Sequence, residues 1–295
     1  MSFKIDNIFN VKDKIVLVTG GGTGLGKAIT AGFIQNGAKV YITGRRQEVL
    51  EAAAQEIGGP IVAIKGDVST KEGCKAIADA FGTKESKLDV LINCAGVMRG
   101  WKTQVKSHDN ADEVENLLWE GHDDDDFNYS NSININGVYF ITAALVPYLR
   151  KSDHDPSVVV IASIAGLANQ RAMGTVSYGV SKAGAIHLGK LLAGRLHPMK
   201  IRVNTICPGI FPSEMTGKND SGEGHEYNLA DGAGKAAKRS TVGRAGRPEE
   251  IVGPVLLLSS AAGGYFDGAL LTVDGGRLMG AGINDGLRLP EDTYI

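Results

Sequence analysis

The apolar run 15–18 leads directly into Thr19-Gly20-Gly21-Gly22-Thr23-Gly24-Leu25-Gly26, and a segment with Ile29 and Phe33 on one helical face follows at once. A strand, a glycine turn and a helix start in that order present bare backbone N–H groups and the positive end of a helix to a diphosphate, with no Cβ atoms in the way. A glycine cluster by itself also makes purely structural turns. The flanking strand and helix are what favour a dinucleotide here. Gly20, Gly22, Thr23, Gly24, Leu25 and Gly26 are therefore the first candidate cofactor contacts.

The same alternation continues along the chain. Short β-branched runs at 15–18, 40–43, 61–64, 90–92, 158–161, 203–206 and 270–273 are separated by helix-length segments. Runs that are continuously apolar belong to strands buried on both faces, so the expected fold is α/β: a Rossmann-type doubly wound parallel sheet of about seven strands with helices on both sides. The 295 residues contain no repeat and no Pro/Ser linker, which implies one domain over 1–295 with its core at about 11–276. Forty glycines are roughly double average usage but show no Gly-X-Y period, which excludes a collagen-like chain. Three stretches stand outside the pattern: an insertion at 99–132, a Gly- and Lys-rich segment at 217–246 and a tail at 277–295. Gly217, Gly222, Gly224, Gly232 and Gly234, with Met215, Tyr227 and Leu229, suit a mobile lid over a substrate. The tail carries too many apolar residues to be solvated and is expected to dock on a neighbouring subunit.

The net charge of −2 offers no basic surface for nucleic acid or anionic lipid, so small molecules are the expected partners. Cys74, Cys94 and Cys207 are odd in number and lack CxxC spacing, which argues against disulfides and zinc and suits a reducing, cytoplasmic setting. The stretch 251–266 reads as the most apolar, and it is too short and interrupted to span a bilayer. His122 followed by Asp123-Asp124-Asp125-Asp126 lacks the spacing of a metal loop and reads as a solvated acidic turn, so no metal is expected.

Two further signals concern chemistry. An NAD site closes its second strand with an acidic residue, whereas here Val40-Tyr41-Ile42-Thr43 ends in Gly44-Arg45-Arg46. Arg45 and Arg46 would welcome a 2′-phosphate, which points to NADP(H); the bland alternative is two solvated arginines. Tyr178-Gly179-Val180-Ser181-Lys182 places a phenol and an ammonium on one helix face, where the ammonium is expected to pull the phenol down toward the operating range of a general acid. An isolated YxxxK pair occurs often by chance.

With its TGxxxGxG spacing, the chain resembles the short-chain dehydrogenase/reductase family from about residue 11 to 276. The resemblance implies adenine contacts at Asp67 and Val68. It implies a nucleotide turn at Asn93-Cys94-Ala95-Gly96, where Cys94 replaces a second asparagine, with Asn93, Ala95 and Gly96 retained. It further implies a nicotinamide turn at Pro208-Gly209-Ile210-Phe211-Pro212-Ser213, in which Pro208, Gly209, Phe211 and Ser213 are candidate contacts. Asn134, Ser163, Tyr178 and Lys182 match the family's catalytic set: Tyr178 as proton donor, Ser163 orienting the carbonyl, Lys182 tuning Tyr178 and holding the ribose, and Asn134 holding a lysine-linked water. The implied activity is NADPH-dependent reduction of a ketone. The motifs look most like the branch of 3-oxoacyl reductases of the rhamnolipid-biosynthesis type and their fungal relatives. A polyol or sugar ketone reductase and a noncatalytic NADPH-binding scaffold are the alternatives. Gly179, Gly184, Gly189 and Gly194 in the helix after Tyr178 are expected to reflect close packing on the sheet and on a neighbouring subunit, hence a homotetramer or homodimer.

Overall fold

In a computed structural model describing residues 3–169, 174–217 and 229–280, all seven apolar runs are strands. A short helix α1 (Ile5–Ile8) precedes β1 (Ile15–Thr19), α2 (Gly24–Gln35), β2 (Lys39–Gly44), α3 (Gln47–Ile57), β3 (Ile61–Lys65), α4 (Lys71–Gly82) and β4 (Val90–Asn93). The insertion then supplies α5 (Ala111–Glu120) and α6 (Asp124–Asn131), and a π turn (Ser132–Gly137) runs into α7 (Val138–Leu149). The chain continues through β5 (Ser157–Ile161), α8 (Val176–Leu196), β6 (Arg202–Pro208), α9 (Asp231–Lys238), α10 (Pro248–Ser259) and β7 (Leu270–Val273).

The strands form one parallel sheet in the order β3-β2-β1-β4-β5-β6-β7. Alternate residues of each strand face opposite sides. Leu17, Leu91 and Val158 join Ile77, Phe81, Ile141, Leu145 and Leu192 under α4, α7 and α8. Val16, Val18 and Ile92 join Ile29, Phe33, Leu50, Ile251 and Val255 under α2, α3 and α10. Both faces are covered, which is why the strands read as unbroken apolar runs. The winding direction reverses between β1 and β4, and that reversal opens a crevice at their carboxyl ends.

Two sequence expectations change. Residues 123–126 are the capped start of α6: Asp123 accepts the Asp126 N–H at 3.1 Å and Asp126 accepts the Asp123 N–H at 3.1 Å. Carboxylates are favoured at a helix N-terminus, and Asp126 is buried, so this is not a solvated turn. Among the described residues, the helix long and apolar enough to resemble a membrane span is Asp124–Leu149, with a window of mean hydropathy 1.3, rather than 251–266. Its apolar face, Ile141, Leu145 and Leu149, is buried in the core.

On α8, a Cβ at Gly184 would come within 2.5 Å of Ile135 and one at Gly189 within 2.3 Å of Thr205, so these glycines serve packing inside the chain; Gly194 has nothing within 4 Å. Of the segment 217–246, residues 218–228, Tyr227 among them, lie outside the described residues. Gly217 and Leu229 are bridged, and α9 follows. Residues 281–295 of the tail also lie outside the described residues. Its start is pinned by Leu278 N–H donating to Asp274 Oδ2 at 2.8 Å.

Candidate active site

The crevice is fastened by Thr19, the last residue of β1. Its hydroxyl oxygen accepts the N–H groups of Cys94 and Ala95, each at 3.0 Å, and so holds the turn after β4 against β1. Gly20 follows with φ of +68°, and a Cβ there would sit 2.9 Å from the Ala95 Cα. Only glycine suits both the backbone angle and the gap. A Cβ at Gly26 would be 2.1 Å from the Gly20 carbonyl, so α2 begins in direct contact with the turn. Thr23, the N-cap of α2, makes no side-chain capping bond, which leaves the first helical N–H groups facing the crevice.

Gly20, Gly22, Thr23, Asp67, Val68, Ala95 and Gly96 line a pocket of about 250 Å³ with Arg45 and Arg46 at its rim. Arg45 Nη1 donates to the Tyr129 hydroxyl at 2.9 Å, and Arg46 pairs with Glu214 at 2.9 Å. Asp67 accepts the Ser69 N–H at 2.9 Å. A second, larger cleft of about 1280 Å³ continues from it, lined by Gly24, Leu25, Gly26, Ser163, Tyr178, Lys182, Pro208, Gly209, Phe211 and Ser213. Phe211 is nonetheless 5% exposed, its ring packed against Gly246. Asn93 does not line either space: it is buried and donates to Thr142 at 3.1 Å.

Ser163, just beyond β5, accepts the Ala165 N–H at 3.1 Å and lines the cleft together with Tyr178. Lys182 Nζ donates to the Ile161 carbonyl at 3.1 Å and lies 5.7 Å from the centre of the Tyr178 ring. Asn134 stands behind the cleft rather than in its wall. Its amide donates to the Val97 carbonyl and to Ser181 Oγ, both at 2.9 Å, and its oxygen accepts the Val97 N–H at 3.0 Å. The π turn thereby ties the loop after β4 to α8 between Tyr178 and Lys182.

The electrostatics differ from the sequence expectation. Burial pushes the Tyr178 phenol up to about 12, against an opposing pull from the Ser163 hydroxyl, and Lys182 is not among the groups that lower it. Burial pushes Lys182 down to about 8. At 5.7 Å from the ring and hydrogen-bonded to a main-chain carbonyl, the ammonium does not offset desolvation of the phenolate. The Cys94 and Cys207 thiols beside the pair are pushed by burial to about 12 and about 11, so both stay protonated at neutral pH.

Sequence reasoning missed Thr19, Tyr129 and Glu214. Thr19 was visible as the residue opening the glycine turn, whereas Tyr129 and Glu214 reach the rim from distant segments that carry no motif.

A family model described as short chain dehydrogenase matches residues 14–224. The short-chain dehydrogenase/reductase PhomF of Diaporthe leptostromiformis is 33% identical over 279 residues, covering 92% of this chain and 94% of the relative. The rhamnolipids biosynthesis 3-oxoacyl-[acyl-carrier-protein] reductase of Pseudomonas aeruginosa is 32% identical over 275 residues, covering 91% and 97%. A Pseudomonas aeruginosa RhlG/NADP active-site complex superposes with a TM-score of 0.77 at 30% identity, covering 92% of this chain and 98% of that one. The chain belongs to the short-chain dehydrogenase family, close to this bacterial and fungal branch, and is an oxidoreductase acting between CH–OH and C=O groups.

Proposed function

We propose that the protein is an NADPH-dependent carbonyl reductase that transfers hydride to a ketone, with a 3-oxoacyl-type compound as the substrate class. The observation that carries this is the convergence of Ser163, Tyr178 and Lys182 on one cleft that runs on to Arg45 and Arg46. The residues fit a dinucleotide. The uncapped start of α2 and the open glycine turn suit a diphosphate, and the arginine rim, with no carboxylate ending β2, suits a 2′-phosphate. Asp67, Val68, Ala95 and Gly96 would hold the adenosine end, and Lys182 with the turn Pro208, Gly209, Phe211 and Ser213 the nicotinamide riboside. When bound, the cofactor supplies the hydride.

Tyr178 gives its proton to the carbonyl oxygen, and a phenol raised to about 12 keeps that proton available across the physiological range. Ser163, in the same cleft as the phenol, orients the oxygen. Lys182, anchored on Ile161, fixes the position of the charge behind Tyr178, and Asn134 holds α8 against the loop after β4. The substrate side is lined by Met98, Trp101, Leu117, Val176 and Met215, which favours an acyl chain over a polyol. The described part of the expected lid, 229–246, contributes Ala233 and Ala236 of α9 to the wall of this side, which supports a covering role for it. The reading includes a homotetramer, supported by exposed Val180 and Leu191 on α8, and a cytoplasmic location, supported by three free cysteines.

Steady-state kinetics of ketone reduction with NADPH and NADH test the proposal. A kcat/KM at least tenfold higher with NADPH is expected, and Arg45→Ala should lose most of that preference. Equal or better rates with NADH overturn the cofactor assignment.

A further inference from the structure

Residues 99–131 leave the sheet after β4 and carry no motif for the chemistry. At their centre is an aromatic stack. The Trp101 indole lies on the His122 imidazole with centroids 4.3 Å apart and planes 29° from parallel, and Phe127 meets the same imidazole edge-on at 5.7 Å. The His122 side chain is 5% exposed, and neither ring nitrogen forms a hydrogen bond, although Asp126 Oδ2 approaches Nδ1 to 3.5 Å. An imidazole buried with so little hydrogen bonding is held chiefly by its ring contacts. The closest of them is with Trp101.

Trp101 is fixed from several sides. Its indole N–H donates to the Gly174 carbonyl at 3.0 Å, just before Thr175, the N-cap of the helix α8 that carries Tyr178. The neighbouring Lys102 N–H donates to the Gly121 carbonyl at 3.0 Å, and the Lys102 ammonium pairs with Asp123 and, at 3.3 Å, with Asp126. Gly121 lies against the indole: a Cβ there would fall 2.5 Å from Trp101 Cε3. The ring so held lines the cleft beside Met98, Leu117, Val176 and Met215. With its only polar atom already bonded to Gly174, it offers the cleft carbon alone, and a hydroxyl placed against it would go unpaired.

We propose that Trp101 is a specificity-determining residue, the wall along which an extended apolar arm of the ketone substrate lies, and that His122 is the positioning residue that keeps this wall in place. The proposal rests on the carbonyl-reductase reading and adds the shape of the substrate to it.

The test is a series of methyl ketones, from butanone through hexanone and octanone to decanone, reduced with NADPH. In the wild type each methylene that reaches the wall is expected to raise kcat/KM by about three- to fourfold. In Trp101→Ala the series flattens, in Trp101→Phe most of the slope returns, and His122→Ala loses slope that His122→Phe, which preserves a stacking ring, retains. An unchanged slope in Trp101→Ala overturns the proposal, and an unchanged slope in His122→Ala overturns the role of His122.

A readout independent of turnover uses the fact that the chain has two tryptophans, of which Trp119 is 82% exposed. In Trp119→Phe, Trp101 is the single indole, and decanone added with NADP+ should shift its emission in step with binding. Absence of any shift overturns the wall. If no ketone is reduced but decanone shifts Trp101 emission, the reductase reading falls and the wall stands. If ketones are reduced without regard to chain length, the reverse holds.

Discussion

Arg46 and Glu214, 168 positions apart in the chain, form a forked ion pair at the rim of the cleft, with Nη2 2.9 Å from Oε2 and 3.3 Å from Oε1. A carboxylate therefore stands near the place where NAD sites put one, but it comes from the loop after β6 rather than from the end of β2. Both side chains are about half exposed, so the pair is weak and a 2′-phosphate can displace the carboxylate. Glu214→Gln is expected to lower the Kd for NADPH by up to about fivefold, the worth of a surface pair, and to leave NADH unchanged. Fluorescence titration of both cofactors checks this; a parallel change in the two would contradict it.

Tyr178→Phe keeps the ring and removes the proton. Turnover should fall by about a hundredfold or more, the usual worth of a general acid, while NADPH binding stays within about twofold. Lys182→Ala should weaken both. Retention of most of the wild-type rate by Tyr178→Phe on every reducible ketone would favour a noncatalytic NADPH-binding scaffold.

Lys182 carries a pH signature in stability. Its folded value of about 8 lies below the ordinary 10.5, so between these values the unfolded chain binds a proton that the folded chain does not. Stability then rises with pH across this window, by a total on the order of 3 kcal/mol. Tyr178 acts in the opposite sense above about pH 10, because its folded form keeps a proton that the unfolded form loses. The buried Cys74, Cys94 and Cys207 thiols, all raised by burial, act in the same sense as Tyr178 from about pH 9. The Lys182 signature is therefore a difference: from pH 7.5 to pH 10 the urea midpoint of the wild type should gain on that of Lys182→Met, and a constant gap would contradict it.

Gly166 ends the 3-10 turn Ile164–Gly166 that Ser163 caps, and a Cβ there would lie 2.6 Å from both the Ala183 nitrogen and the Lys182 carbonyl carbon. Those are backbone atoms of α8 and cannot step aside. Gly166→Ala is expected to cost about 1–3 kcal/mol and to shift Ser163 relative to Tyr178. Thermal midpoint and kcat should fall together; a loss of midpoint with kcat intact would separate the turn from the chemistry.

The strands and the glycine turn were legible because their signals are local: consecutive β-branched residues, and glycines where a Cβ has no room. The YxxxK pair was legible for the same reason, since i and i+4 share a helix face. Asp126 is not legible from sequence because four acids in a row look solvated, and only the fold shows the fourth turned inward to cap its own helix. Arg45 meeting Tyr129, Arg46 meeting Glu214 and Trp101 meeting His122 depend on where separate segments come to rest. The Tyr178 phenol was expected to be lowered because Lys182 is its helical neighbour; depth of burial, which no spacing reveals, decides the direction.

β4 is buried at all four residues and sits between β1 and β5. Its first neighbour is made before it and its second only from residue 157 onward. On a ribosome adding about 5–20 residues per second, the 64 residues from Asn93 to Ser157 take roughly 3–13 s. Throughout that interval the nascent chain carries the apolar run Val90-Leu91-Ile92 with one strand edge unpaired, the kind of edge on which other chains aggregate. The demand this protein makes on chaperones is thus concentrated midway through its synthesis, before Ser163, Tyr178 and Lys182 have been added to the chain.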